Sequence, residues 1–215
     1  MVKNVQVTSY NPQELGDVLI MVLGADTPKQ SVIQKGNVVQ IKDEQQKVIG
    51  YNFFDVAQQL NLQSTDNGQV FLDEAQIATL NNILQNNDFE PDLQVESTPK
   101  LVVGDVKEIK SHPDSDHLHV CQIELDNGQM AQIVCGAPNI AVGQKVVVAK
   151  VGAMMPSGQI IFAGVLRGVD SAGMVCSARE LGLENAPQKR GILVLDNNYS
   201  TGSAIDLVKL NQAYQ

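Results

Sequence analysis

Apolar and polar positions change their rhythm about halfway along the chain. In the first half Val18-Leu19-Ile20-Met21-Val22-Leu23 and Val38-Val39-Gln40-Ile41 read as strands, the second followed by a polar turn near Asp43-Glu44 and a partner ending Lys47-Val48-Ile49-Gly50. Two helices are predicted: one from Asn52 to Leu60, and one from about Asp73, whose Ile77, Leu80 and Leu84 recur at helical spacing. In the second half short β-rich runs follow one another: Leu101 to Ile109, His119 to Leu125, Met130 to Cys135, Lys145 to Val151, Ile160 to Phe162 and Ile192 to Leu195. Asp126-Asn127-Gly128 joins two of them and carries a strong hairpin signal. Several short strands without a long helical pattern predict a small closed barrel, for which an OB-fold is the natural candidate.

Between the two rhythms lies Gln85-Asn86-Asn87-Asp88-Phe89-Glu90-Pro91-Asp92 through Ser97-Thr98-Pro99, polar and punctuated by two prolines. The expected organisation is therefore a small acidic α+β domain over residues 1–90, a linker over 91–99, an all-β OB-fold barrel over 100–205 and a C-terminal tail over 206–215. Charge follows the same division. Residues 1–96 carry 5 Lys against 13 Asp and Glu, a balance of −8, whereas residues 97–215 carry 10 Lys and Arg against 11 acids, a balance of −1. A net charge of −9 argues against a nucleic-acid binder when taken over the whole chain, but not against one confined to the second half.

Composition narrows the setting. The apolar runs are far shorter than the roughly 20 residues that cross a bilayer. No leader-like segment opens the chain, so a soluble cytoplasmic protein is expected. Three cysteines, Cys121, Cys135 and Cys176, form no CxxC pair and leave an odd thiol. Buried packing is the ordinary role for each.

One stretch invites chemistry. Ser111-His112-Pro113-Asp114-Ser115-Asp116-His117-Leu118-His119-Val120-Cys121 holds all 3 histidines of the chain. Alternation along a strand would place His117, His119 and Cys121 on one face, with His112 across the turn, as a zinc or copper site requires. Against this stands a turn reading. Pro113 fixes the backbone, Asp114, Ser115 and Asp116 bond nearby N–H groups, and Leu118 or Val120 enters the core. Nucleophilic catalysis through Cys135 lacks a nameable orienting group or oxyanion motif.

Four ordered motifs decide between these readings by resemblance. His112-Pro113-Asp114-Ser115-Asp116 with Leu118 to Cys121, then Gln132 to Asn139, then Leu166 to Ser177, and finally Glu180-Leu181-Gly182-Leu183, resemble the tRNA-binding domain near the start of the bacterial phenylalanyl-tRNA synthetase beta chain. With an acidic leading domain on a short chain, the whole is similar to the stand-alone bacterial YtpR family of tRNA-binding proteins. The resemblance implies an OB-fold, tRNA as ligand, no metal at the histidine turn and no cofactor. Synthetase activity is not implied, since the chain lacks ATP-binding signatures and room for a catalytic domain.

The residue chemistry accommodates that ligand with a qualification. Residues 97–215 contain only Phe162, Tyr199 and Tyr214 as aromatics, which poorly supplies a base-stacking platform. Cations are available instead: Lys107, Lys110, Lys145, Lys150, Arg167, Arg179, Lys189 and Arg190. Recognition of a folded RNA by shape and backbone suits them. The expected tRNA-binding set is Lys107, Lys145, Lys150 and Arg167 for phosphates, with Asn139, Ser171, Met174 and Ser177 from the matched motifs; Met174 equally suits a core position. A protein-interaction adaptor with weak RNA affinity is the alternative, and a metal-dependent hydrolase on His112, His117 and His119 is the enzyme reading. A protein partner for the acidic domain and a homodimer complete the expectations.

Overall fold

The structure, a computed structural model, describes residues 5–214. The chain divides into two compact units, Met1–Thr98 and Pro99–Gln215.

The first unit is a six-stranded antiparallel sheet with helical cover. Its elements are β1 (Val7–Tyr10), α1 (Pro12–Leu15), β2 (Val18–Val22), β3 (Ser31–Lys35), β4 (Val38–Lys42), β5 (Val48–Phe54), α2 (Ala57–Leu60), β6 (Gly68–Val70) and α3 (Glu74–Asn86). The strand order is β3-β4-β5-β2-β1-β6. Tyr51 and Phe53 alternate onto the core face of β5, where Leu19 and Met21 of β2 meet them. On α3 the residues Ile77, Leu80, Ile83 and Leu84 form the buried stripe. Asp73 opens that helix with a capping box: its Oδ1 accepts from Gln76 N–H at 2.8 Å, and Gln76 Oε1 accepts from Asp73 N–H at 2.9 Å.

The helix expected from Asn52 to Leu60 is corrected here. Asn52 pairs with Ile20 inside the sheet, Asp55 turns the chain at φ 55, and only Ala57–Leu60 is helical. Phe53, Val56 and Leu60 are all buried, and their spacing imitates a helical face across a strand end and a turn. Beyond α3, Phe89 and Leu93 join the first core, and Asn81 holds Leu93 by both its N–H and its carbonyl at 3.0 Å. The segment 94–99 has no regular structure and is largely exposed. Limited proteolysis is expected to cut there, not within 85–93, because a protease needs accessible backbone free of such anchoring. A first cut at residues 85–93 would count against this assignment.

The second unit comprises β7 (Leu101–Ser111), β8 (His119–Glu124), β9 (Met130–Cys135), β10 (Lys145–Ala149), β11 (Gly164–Leu166), β12 (Val169–Ser171), β13 (Met174–Val175), β14 (Val194–Leu195) and α4 (Leu207–Ala213). Its main sheet runs β13-β10-β7-β8-β9, with β14 also on β10, while β11 and β12 form a separate hairpin. Val146 and Val148 face one core and Val147 and Ala149 the other, so β10 is buried on both sides and reads as an unbroken apolar run. Crowding by core side chains explains Gly104: a Cβ there would lie 2.6 Å from a Val148 methyl and 2.7 Å from an Ile123 methyl. Past β12 the chain reaches the β9 edge, where Ala172 N–H donates to Gln132 O at 2.8 Å and Val134 N–H to Ser171 Oγ at 3.1 Å.

Three further expectations change. Ile160 makes only an isolated bridge with Met154, not a strand. Residues 126–128 form a 3₁₀ turn that carries positive φ at Gly128, within an otherwise correct β8–β9 hairpin. Residues 206–214, expected as a tail, hold α4 instead: Asp206 caps it and Leu210 is buried in the second core, which also makes this unit less than purely β; residue 215 lies outside the described residues.

Candidate nucleic-acid interface

The histidine stretch folds as a turn. His112 is buried, its Nδ1 accepts Asp114 N–H at 3.0 Å, and its Nε2 therefore donates to Leu166 O at 3.0 Å. Both ring nitrogens are thus engaged by backbone. His117 precedes β8, not on it, and its Nδ1 lies 2.8 Å from Asp116. That contact holds the Asp116 carboxyl below the ordinary carboxylate value. Among the described residues no group of three His, Cys, Asp or Glu side chains is placed to hold a metal ion. The thiols are equally withdrawn: burial pushes Cys121 and Cys176 up to about 12 and raises Cys135 as well. A neutral buried thiol is a poor nucleophile.

Three of the four cations in the expected binding set are neutralised by acids, and Lys110 meets Glu108 at 2.7 Å. Asp105 receives Lys145 Nζ and Lys107 Nζ, each at 2.9 Å, and Lys107 also reaches Glu124 at 2.8 Å. Lys145 donates in addition to Thr201 Oγ1. Lys150 lies 2.6 Å from Asp126. The Lys145 and Lys150 side chains are only 16% and 15% exposed, so they hold β10 to its surroundings more than they face solvent.

The hydrogen bond from Lys145, aided by Lys107, holds the Asp105 carboxyl below its ordinary 3.8 although burial opposes this. A depressed carboxylate contributes stability above its unfolded value and loses it as pH falls through the folded one. Asp105→Asn is therefore expected to lower stability by about 2 kcal/mol near neutrality, in line with loss of hydrogen bonds to charged groups. The deficit should shrink below the ordinary value of 3.8. Urea unfolding at neutral pH and at acid pH measures it; an equal deficit at both would contradict the linkage.

The unpaired cations lie elsewhere. Among the described residues no ion pair engages Arg167, Arg179, Lys189 or Arg190, all of which are exposed. Arg167, at φ 46 in the β11–β12 turn, donates to Asp114 O at 3.1 Å. Arg190 donates to Gly136 O at 3.3 Å. Arg179 and Arg190 stand among the cations the sequence makes available, but outside the expected binding set.

These two arginines flank a cleft of about 290 Å³ between the end of β9, β13 and residues 190–192, and Arg179 also lines a second of about 520 Å³ beside Pro156 and Gly182. Both clefts share Met174, Ser177, Arg179 and Glu180. Ser177 and Glu180 lock each other: Ser177 N–H and Oγ–H donate to Glu180 Oε2, each at 2.7 Å, and Glu180 N–H donates to Ser177 Oγ at 3.2 Å. Met174 is half-buried against the second core. Asn139 supports the neighbouring wall, its amide bonding both the N–H and the carbonyl of Ile192. Of the predicted set, then, Met174 and Ser177 line the clefts, Ser171 and Asn139 bind backbone, and Lys107, Lys145 and Lys150 sit in ion pairs.

Comparison with known proteins places this geometry. Residues 101–204 match the family model described as "Putative tRNA binding domain", and residues 25–96 match a "Domain of unknown function". The chain is 45% identical over 91% of its length, and 96% of the relative's, to "Putative tRNA-binding protein YtpR" of Bacillus subtilis. It is 50% identical to the phenylalanine–tRNA ligase beta subunit of Halalkalibacterium halodurans over 48% of its length, and 46% identical to that of Listeria innocua over 54%. Those matches span only 13% and 15% of the two subunits. With two turns and a cleft built from the matched domain, and similarity running through both units, the chain belongs to the YtpR family.

Proposed function

We propose that the protein binds tRNA without catalysing a reaction on it, through its second unit. In this reading that unit is an OB-type barrel, its β9 edge approached by the chain after β12, and the protein works in the cytoplasm. The observation that carries the proposal is the sorting of charge within the domain that matches the tRNA-binding family. Lysines on the sheet are answered by Asp105, Glu124 and Asp126, while Arg167, Arg179, Lys189 and Arg190 keep their charge available. Guanidinium groups bind phosphate in fixed fork geometry, which suits backbone recognition of a folded RNA.

The first unit serves a protein partner in this scheme. Residues 48–98 contain no Lys or Arg, so that region repels a polyanion. Homodimer formation is compatible with the same scheme. The adaptor alternative rests on the balance of −1 over residues 97–215, which gives little long-range attraction for RNA.

A titration of total tRNA against the full chain at two salt concentrations separates these readings. Three to four phosphate contacts, each adding roughly 0.7 to 0.9 to the slope of log affinity against log salt, predict a loss of about twentyfold to 150-fold between ~50 and ~200 mM salt. Saturable binding with that dependence supports the proposal. No saturable binding at low salt would favour the adaptor.

A further inference from the structure

We propose that the cleft at Met174, Ser177 and Glu180 receives one unstacked guanine nucleotide of the bound RNA, with Glu180 reading the base and Arg179 and Arg190 holding its phosphate. This deepens the tRNA-binding reading and rests on it.

The geometry supplies three complementary parts. Glu180 is a carboxylate fixed in place, because Ser177 occupies Oε2 through two donors at 2.7 Å. Its Oε1 has no hydrogen-bond partner among the described residues, and no arginine neutralises it although Arg179 and Arg190 line the same cleft. Met174 and Ile192 add apolar surface beside it. The smaller cleft, about 290 Å³, lies just under the usual range of small-ligand sites, and the larger, about 520 Å³, lies within it.

Carboxylate chemistry then selects the base. An ionised carboxylate only accepts hydrogen bonds. Guanine offers N1–H and the N2 amino group side by side on its Watson–Crick edge. Adenine and cytosine offer one amino group next to an acceptor nitrogen. Uracil offers N3–H between two carbonyl oxygens, which the carboxylate repels. Unstacked bases read on this edge are the usual targets of sequence-dependent RNA recognition. The scarcity of aromatic side chains is no obstacle, since a guanidinium plane can stack a base.

The test uses GMP and UMP as probes, titrated into the isotope-labelled full chain and followed by NMR, beside a tRNA titration of the same preparation. GMP is expected to shift amides of residues 174–180 and 190–192, and to bind at least about fivefold tighter than UMP, the lower bound for a good base-edge contact. Glu180→Gln keeps an oxygen for Ser177, as a capping box with glutamine does, and adds an amide donor, so it should cancel the preference for GMP in a folded protein whose melting temperature falls only modestly with the lost charge. Arg190→Ala should weaken both nucleotides alike. Equal affinity for GMP and UMP, or shifts confined to other residues, with salt-dependent tRNA binding intact, overturns the cleft assignment alone. Absence of tRNA binding overturns the tRNA reading and this one with it.

Discussion

Reversing both Arg179 and Arg190 to glutamate should reduce tRNA affinity by more than about tenfold and flatten its salt dependence. Each lost phosphate contact removes roughly 0.7 to 0.9 from the slope, so the pair removes about 1.4 to 1.8. Folding should be little affected, because both residues are exposed and Arg190 gives up a single 3.3 Å bond to Gly136 O. Lys145→Glu should behave in the opposite way. It would bring a second carboxylate against Asp105 at a site where the lysine side chain is 16% exposed, at a cost of about 3 kcal/mol or more. The slope for the fraction that remains folded should stay as it was. Lys42→Glu, on β4 of the first unit, controls for general acidification of the surface. Weakening by Lys42→Glu equal to that of the arginine pair would show that attraction is diffuse and that the cleft is not the contact.

The contrast between lysines and arginines also shows where the sequence stops being readable. Local chemistry is legible: Asp73 and Gln76 announce α3, Asp126 to Gly128 announces the β8–β9 hairpin, and the run Val146 to Ala149 announces a strand buried on both faces. Short strands whose apolar residues stay exposed escape notice. On β3, Val32 and Ile33 are both exposed, and the β11–β12 hairpin exposes Val165 and Leu166 about a turn at Arg167-Gly168. Charge pairing is the least legible feature, because it is set by strand register. The Asp105 partner of Lys145 is 40 positions away and the Asp126 partner of Lys150 is 24 away. Counting cations could not separate neutralised lysines from available arginines. A nearer signal was present at Ser177-Ala178-Arg179-Glu180, whose spacing is that of a capping box and fixes the turn on which Arg179 stands.

Asn139→Ala is expected to act on stability first and on RNA affinity only through it. From sequence, an asparagine in a matched motif reads as a hydrogen-bonding contact to the ligand, with a loss of about 1 kcal/mol in binding on removal. In the structure its amide is already committed: Oδ1 accepts Ile192 N–H at 2.9 Å and Nδ2 donates to Ile192 O at 3.0 Å. Ile192 is 8% exposed, so deleting the amide leaves two backbone groups poorly served by water. A penalty of about 2 kcal/mol follows, equivalent to roughly 5–10 °C in melting temperature for a domain of this size. The neighbouring backbone magnifies the effect. Gly191 sits at φ 155, and a Cβ there would lie 2.9 Å from Asn139 Oδ1, so the two segments are packed as closely as a glycine permits. Releasing this clamp loosens the 190–192 wall that carries Arg190, and tRNA affinity should fall with an unchanged salt slope. Asn139→Asp keeps the acceptor for Ile192 N–H and loses the donor to its carbonyl, which places its melting temperature between those of the parent and the alanine variant. Calorimetric melting of the three proteins beside their tRNA titrations distinguishes the two roles: a full affinity loss in Asn139→Ala at the parental melting temperature would return Asn139 to the ligand-contacting set.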